Sequence, residues 1–363
     1  MIRTADRQRA AALLQGFLDA GATLVETEIL QPAGTLLDLY GEDIRARAFT
    51  THDPLSGEAM LRPDFTVPVV QAHMNNGADV ARYCYAGEVF RRQEVDEGRP
   101  REYLQVGFEV FDGTDPAAAD AEVFDLIATA LAPWSTHPVT GDLGILTAAV
   151  DGLTTSEPRR AALRRHIWRP SRFRRLMDRF TGKAAVPATR TALLAQVAGT
   201  SVEALIDAAG PAVGLRSADE IAARVRALTE DAALPPVSHT EAEVIGMLLA
   251  LDCPMAQAIS PLRDMAVDLP SLIPAIDRLE ARAAALARRG HTPDTLPFAP
   301  ARGRTAMEYY DGFTFTFTAP GRLDLAPLAT GGRYDALTSV LGRGRGVPAV
   351  GGVIRPGLLG DLA

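Results

Sequence analysis

The sequence predicts an α+β fold: an antiparallel sheet flanked by helices and interrupted by a helical insert. Three observations carry this reading. Strand-like patterns fill the stretch from Phe49 to Phe111, they return at Phe313, Phe315 and Phe317, and an alanine-rich helical stretch lies between.

At the N-terminus Leu13, Leu14, Phe17 and Leu18 recur at helical spacing behind Ala10, and Gly21 suits a C-cap. TLVETEILQPAGTL follows as a short strand-like run stopped by Pro32. FTTHDP, AMLRP, ARYCYAGEVFRR and EYLQVGFEVF read as strands, and so does LRPDFT. In EYLQVGFEVF, Tyr103, Gln105, Gly107 and Glu109 share one face while Leu104, Val106, Phe108 and Val110 share the other. Residues 116–132 read as a helix covering such a sheet. From about 155 to 290, TRTALLAQVAG, ADEIAARVRALTEDAAL, HTEAEVIGMLLALD and LIPAIDRLEARAAALARRG read as helices broken by proline or glycine. A glycine-rich ending, TGGRYDALTSVLGRGRGVPAVGGVIRPGLL, closes the chain. The expected division is a core of residues 1–150 and 300–363 around a mainly helical insert of 151–299.

Bulk features narrow the function. Of 363 residues, 47% are hydrophobic and 23% charged, which permits a sizeable globular core. The net charge of −8 disfavours a nucleic-acid coat. Lys183 is the only lysine and lacks a preceding glycine-rich run, which excludes a phosphate-binding P-loop. Cys84 and Cys253 have no C-x-x-C spacing, and the six histidines form no H-x-x-x-H pair, so no metal is expected. No export signal and no membrane span are legible, and a cytoplasmic location is expected.

Several polar residues interrupt strand-like runs. Gln105 and Glu109 share a face, LRPDFT carries Arg62, Asp64 and Thr66, and Glu308 precedes Tyr309 and Tyr310. Such a face is either solvated or suited to a small zwitterion. In the second case carboxylates would hold an ammonium while amide and hydroxyl groups fix orientation. Arg91 and Arg92 add groups able to clamp a carboxylate or phosphate.

Together these runs resemble the catalytic domain of class II aminoacyl-tRNA synthetases, and histidyl-tRNA synthetase in particular. LRPDFT is similar to its LRPEGT segment, and EVFRRQEVDEGRPREYLQVGFEVF to its second class motif. RTAMEYYDGFTF is similar to RGLDYY, TGGRYDAL to GGRYDGL, and VGGVIRPGL to the third class motif with Arg355 as the ATP-binding arginine. Pro32 stands where the first, dimer-forming motif carries proline. The resemblance covers roughly residues 1–150 and 300–360. Three departures stand out: the RGLDYY arginine aligns with Thr305, with Arg304 one residue early and so facing the opposite way. Gln93 replaces a glutamate, with Glu94 displaced by one. No anticodon-binding domain follows Arg355 before the end at Ala363.

A synthetase core so altered resembles the family of regulatory subunits of ATP phosphoribosyltransferase, the first enzyme of histidine biosynthesis; GRPRE, Gly98 to Glu102, is closer to that family. The resemblance implies a protein with no catalytic residues and no cofactor. It would self-associate as a synthetase-like dimer, activate short-form catalytic subunits and confer feedback inhibition by histidine. By position, Asp64, Thr66 and Gln105 would hold the ammonium of histidine, and Glu109, Tyr310 and Tyr309 would line its imidazole, Tyr309 being the one open to a core role. Arg91 would meet the carboxylate or remain as a former phosphate contact. Arg355 reads as a relic or structural ion pair, and Gly331 and Gly332 as a turn beside the pocket. The alternative is a stand-alone class II amino-acid adenylating enzyme. Residues 159–179 hold nine arginines with Trp168 and Phe173 among them. This stretch reads as a solvated helical face with Leu163, Ile167 and Trp168 turned inward, ahead of nucleic-acid binding or an acidic partner.

Overall fold

A computed structural model describes residues 2–34, 48–55, 57–76, 79–93, 100–211, 214–304 and 309–362. The strands are β1 (Thr23–Leu24), β2 (Leu30–Pro32), β3 (Thr50–Asp53), β4 (Gly57–Leu61), β5 (Ala81–Phe90) and β6 (Glu102–Phe111). They continue with β7 (His137–Asp142), β8 (Cys253–Pro254), β9 (Pro297–Phe298), β10 (Phe313–Thr318), β11 (Ala329–Arg333) and β12 (Ala349–Ile354). Nine of these form one sheet in the order β1-β5-β6-β12-β11-β10-β7-β9-β8, antiparallel except for the β1–β5 and β7–β9 pairs. The other three form a small sheet, β2-β4-β3.

Helix α1 (Thr4–Asp19) buries Ala10, Leu13 and Phe17 on one stripe and ends before Gly21, whose φ of 90° suits only glycine readily. Phe17 meets Phe108 of β6 at 5.5 Å between ring centroids. Helix α2 (Thr66–Asn76) follows β4, and α3 (Pro116–Leu131) is capped by Asp115, which accepts from the Ala118 N–H. Phe124 of α3 packs on Phe315 and Phe317 of β10. Alternation therefore directs Val106, Phe108 and Val110 toward the helices and leaves Gln105 and Glu109 on the other face.

The expected helices of the middle are present, and they begin earlier: α4 (Leu143–Gly152), α5 (Glu157–Arg165), α6 (Pro170–Phe180), α7 (Ala188–Gly199), α8 (Val202–Ala208), α9 (Ala218–Ala233), α10 (His239–Ala250), α11 (Met255–Asp268) and α12 (Ile273–Arg288). The stretch is tied to the sheet at its far end, where β8 and β9 extend the edge and Arg282 of α12 bridges Asp120 and Asp142 at 2.7 Å each. Helices α13 (Asp335–Leu341) and α14 (Pro356–Leu359) complete the order.

Two local expectations are corrected. LRPDFT is not a strand: β4 stops at Leu61, Pro63 has no N–H to continue a ladder, and Thr66 opens α2. Arg62 turns inward instead, donating from Nε to the Glu88 carbonyl at 2.8 Å and from Nη1 to that of Thr27 at 2.6 Å. Gly331 and Gly332 form no turn. They pair with Gly352 and Gly351 inside the β11–β12 ladder. A Cβ on Gly332 would stand 2.8 Å from the Tyr310 ring, so the glycine makes room for that side chain.

Candidate functional site

The polar face of β6 is not solvated: Gln105 and Glu109 are each 1% exposed. Glu109 is the centre of a hydroxyl cluster. Thr66 Oγ1 donates to its Oε1 at 3.0 Å, Tyr85 OH to the same oxygen at 2.8 Å, and Tyr334 OH to Oε2 at 2.6 Å. Burial pushes the Glu109 carboxyl up to about 7; the three hydroxyls oppose the rise and the charge of Asp64 adds to it. Burial and Glu109 together drive the Tyr85 and Tyr334 phenols well above their ordinary range, so both remain donors. Across the β6–β12 ladder Glu109 faces Gly351, where a Cβ would lie only 1.4 Å from Oε2.

Around that centre the structure gathers most of the residues expected from the sequence. Asp64, Thr66 and Tyr310 are buried, and the Asp64 charge acts on Glu109, Tyr85 and Tyr310. Gln105 lies on the same strand face as Glu109, and its buried Oε1 meets no hydrogen-bond donor among the described residues. Tyr309 is half-buried, with its ring 4.9 Å from that of Tyr310 and 6.0 Å from that of Tyr334. It is Tyr310, not Tyr309, that is the more buried of the pair.

Arg91 stands to one side. Its Nε donates to the Pro63 carbonyl at 3.0 Å, and its guanidinium lies 6.0 Å from the Tyr103 ring centroid. Arg355 is its neighbour in charge: burial lowers the Arg355 pKa, and Arg91 lowers it further. Arg355 forms no ion pair among the described residues, contrary to one expectation for it. It donates instead to the Pro327 carbonyl, with Tyr103 and Tyr310 in electrostatic reach. Thr305, Glu308 and Glu94 lie outside the described residues, as do Gly98 and Arg99 of the GRPRE stretch.

The site is thus bipolar, with two acidic side chains and a ring of hydroxyls at one end and two arginines at the other. That arrangement suits a small molecule bearing both an ammonium and a carboxylate. Sequence reading missed Tyr85 and Tyr334. The signal for Tyr334 was present in TGGRYDAL, and that for Tyr85 in its phase on ARYCYAGEVF, opposite Gly107.

The fold and this site define a histidyl-tRNA synthetase-like protein. The family profile described as Histidyl-tRNA synthetase matches residues 3–234 and 202–356. A solved ATP phosphoribosyltransferase regulatory subunit/histidyl-tRNA synthetase from Bacillus halodurans superposes with a TM-score of 0.68 at 22% identity, over 99% of this chain and 79% of that one. Two curated relatives are closer in sequence, and both are named ATP phosphoribosyltransferase regulatory subunit. That of Chelativorans sp. is 33% identical over 361 residues, 94% of each chain. That of Agrobacterium fabrum is 35% identical over 363 residues, 94% of this chain and 93% of the other. The chain belongs to the family of ATP phosphoribosyltransferase regulatory subunits. No helix among the described residues is long and apolar enough to cross a membrane.

Proposed function

We propose that this chain binds free histidine in the pocket around Glu109 and, through it, sets the activity of short-form catalytic subunits of ATP phosphoribosyltransferase. It activates those subunits on assembly in the cytoplasm, confers feedback inhibition, and has no catalysis of its own. The observation that carries the reading is Glu109 itself, a buried carboxyl near neutrality beneath three hydroxyl donors. A group of that pKa matches an imidazole, with which it can share a proton at neutral pH. Asp64, Thr66 and Gln105 take the ammonium, Glu109, Tyr309 and Tyr310 the ring, and Arg91 the carboxylate. Inhibition requires histidine to bind the inhibited assembly more tightly than the active one.

Self-association as a synthetase-like dimer is part of the proposal. Leu24 at the sheet edge, Leu30 in the small sheet and Ile29 just before it are exposed, and a second copy would cover them. Sedimentation of the isolated chain as a monomer counts against this part alone.

The test mixes the chain with a short-form catalytic subunit and measures ATP phosphoribosyltransferase activity with and without histidine. Activation on mixing and its reversal by histidine are expected. Glu109→Gln and Tyr310→Phe should weaken histidine binding by calorimetry yet leave assembly intact. Unchanged affinity in both variants removes the pocket. Histidine-dependent pyrophosphate–ATP exchange by the chain alone overturns the non-catalytic reading.

A further inference from the structure

The arginine-rich stretch is for the most part a solvated helical face. Leu163 and Ile167 are buried, Arg159 pairs with Asp231 at 2.6 Å, and Arg160 and Arg164 pair with Glu157. One part of it is different. The turn joining α5 to α6, residues 166–169, is hooked by Arg304 from the far side of the chain. Its Nε donates to the Ile167 carbonyl at 2.6 Å, and its guanidinium carbon sits 5.0 Å from the Phe173 ring centroid.

Arg304 is 7% exposed, and its Nη2 is buried with no hydrogen-bond partner among the described residues. Burial lowers its pKa, and the like charge of Arg174 lowers it further. Three other buried arginines have carboxylate partners, Arg282 and Arg333 sharing Asp120 and Arg159 holding Asp231, while Arg62 is held by two carbonyls. On the same turn two more polar atoms, His166 Nδ1 and Trp168 Nε1, are buried without partners among the described residues. The ring of His166 feels burial first and then the positive charges of Arg172, Arg169 and Arg165. Arg165, Arg172 and Arg174 are exposed. The N-terminus of α6, at Pro170, opens on the same turn and adds its positive dipole end.

A buried guanidinium nitrogen with no acceptor is costly, and native structures seldom leave one without a reason. Here two of the groups left over, Arg304 Nη2 and the Trp168 indole N–H, are hydrogen-bond donors in a cationic setting. They call for an acceptor with dense negative charge and several oxygens. We infer that the α5–α6 turn and Arg304 form a binding site for a phosphate-class oxyanion. Arg304 Nη2 and the Trp168 indole N–H supply the inner donors, and Arg174 and Arg172 supply the rim. The site is separate from the pocket around Glu109 and independent of the histidine reading. Its ligand is either free phosphate or the phosphoryl group of a small metabolite.

The experiment follows thermal unfolding of the full chain in chloride, in inorganic phosphate and in glycerol phosphate at matched ionic strength. The unaltered chain is expected to melt higher in at least one phosphate arm. A gain only with glycerol phosphate assigns the site to a phosphorylated metabolite; a gain with both assigns it to phosphate itself. Arg304→Gln should lose the gain, since the inner donor is gone. Arg174→Gln changes an exposed residue, keeps the fold, and should raise the midpoint concentration about tenfold, as expected for one charge-assisted hydrogen bond. It decides the matter if Arg304→Gln does not fold. No gain in the unaltered chain, or an equal gain in Arg174→Gln, overturns the site.

Discussion

Tyr334 and Glu109 stand 225 residues apart in the chain, and the tyrosine hydroxyl donates to Glu109 Oε2 at 2.6 Å. The bond joins the start of α13 to the last third of β6, and it is one of three that hold the carboxyl in a single orientation. Tyr334→Phe removes only the hydroxyl. Loss of one hydrogen bond to a buried, partly charged acceptor is worth about 1.5–3 kcal/mol. Histidine affinity is expected to fall about tenfold or more on that scale, by calorimetry, with an unchanged circular dichroism spectrum. Equal affinity would show that Tyr334 supports the fold without supporting the ligand.

The raised Glu109 carboxyl also makes a prediction for pH. Its ordinary value is 4.5, and burial brings it to about 7 in the folded chain. Between those values the folded state holds a proton that the unfolded state has released, so stability must fall as pH rises. The contribution is fully present below pH 4.5 and is lost as pH passes 7. It is on the order of 3 kcal/mol for the full shift. Asp311, which caps the Asp335 and Ala336 N–H groups and is raised by burial to about 7, acts in the same direction. Glu109→Gln cannot titrate, so the difference in stability between it and the unaltered chain should change across this window. Urea titrations at pH 5 and pH 8 measure it; a pH-independent difference would place Glu109 outside the titrating groups.

The fold was legible where periodicity was strong. Phe313, Phe315 and Phe317 alternate with threonine because one face of β10 meets Phe124, and that pattern is visible without coordinates. The strand β7 was not legible: HPVTGD carries proline and glycine and no apolar alternation, and it is a strand because β10 pairs with it over six residues. LRPDFT misled because Arg62 and Asp64 share a phase that on a strand would share a face. Pro63 ends the ladder there, and carbonyls take up Arg62 instead. Within the site, Gln105 and Glu109 announced themselves as polar residues in an apolar strand. Tyr85 and Tyr334 did not, because a buried tyrosine reads as core until its hydroxyl has a partner.

Gly351 tests the packing beneath the pocket. A Cβ there would overlap Glu109 Oε2 at 1.4 Å, and three hydroxyls prevent that carboxyl from swinging away freely. Gly351→Ala is expected to cost about 1–3 kcal/mol by overpacking and to abolish measurable histidine binding. Retained binding would mean that the ligand does not use Glu109 in its observed position.

Asp120 tests whether the helical stretch and the pocket are mechanically joined. It accepts from Arg282 of α12 and from Arg333, each at 2.7 Å, and Arg333 immediately precedes Tyr334. Burial lowers the Arg282 pKa, but Asp142 and Asp120 outweigh it and hold the guanidinium above its usual value. Removing one member of such a buried network leaves charge without compensation, at a cost of about 3–5 kcal/mol. Asp120→Asn should therefore lower the thermal midpoint far more than Arg263→Gln, whose exposed pairs with Asp277 and Glu280 are screened by solvent. Because Asp120 fixes Arg333, the residue before Tyr334, Asp120→Asn should also weaken histidine binding at temperatures where the chain is still folded. A lower midpoint with unchanged affinity would separate the ion network from the pocket and confine its role to holding α12 against the sheet.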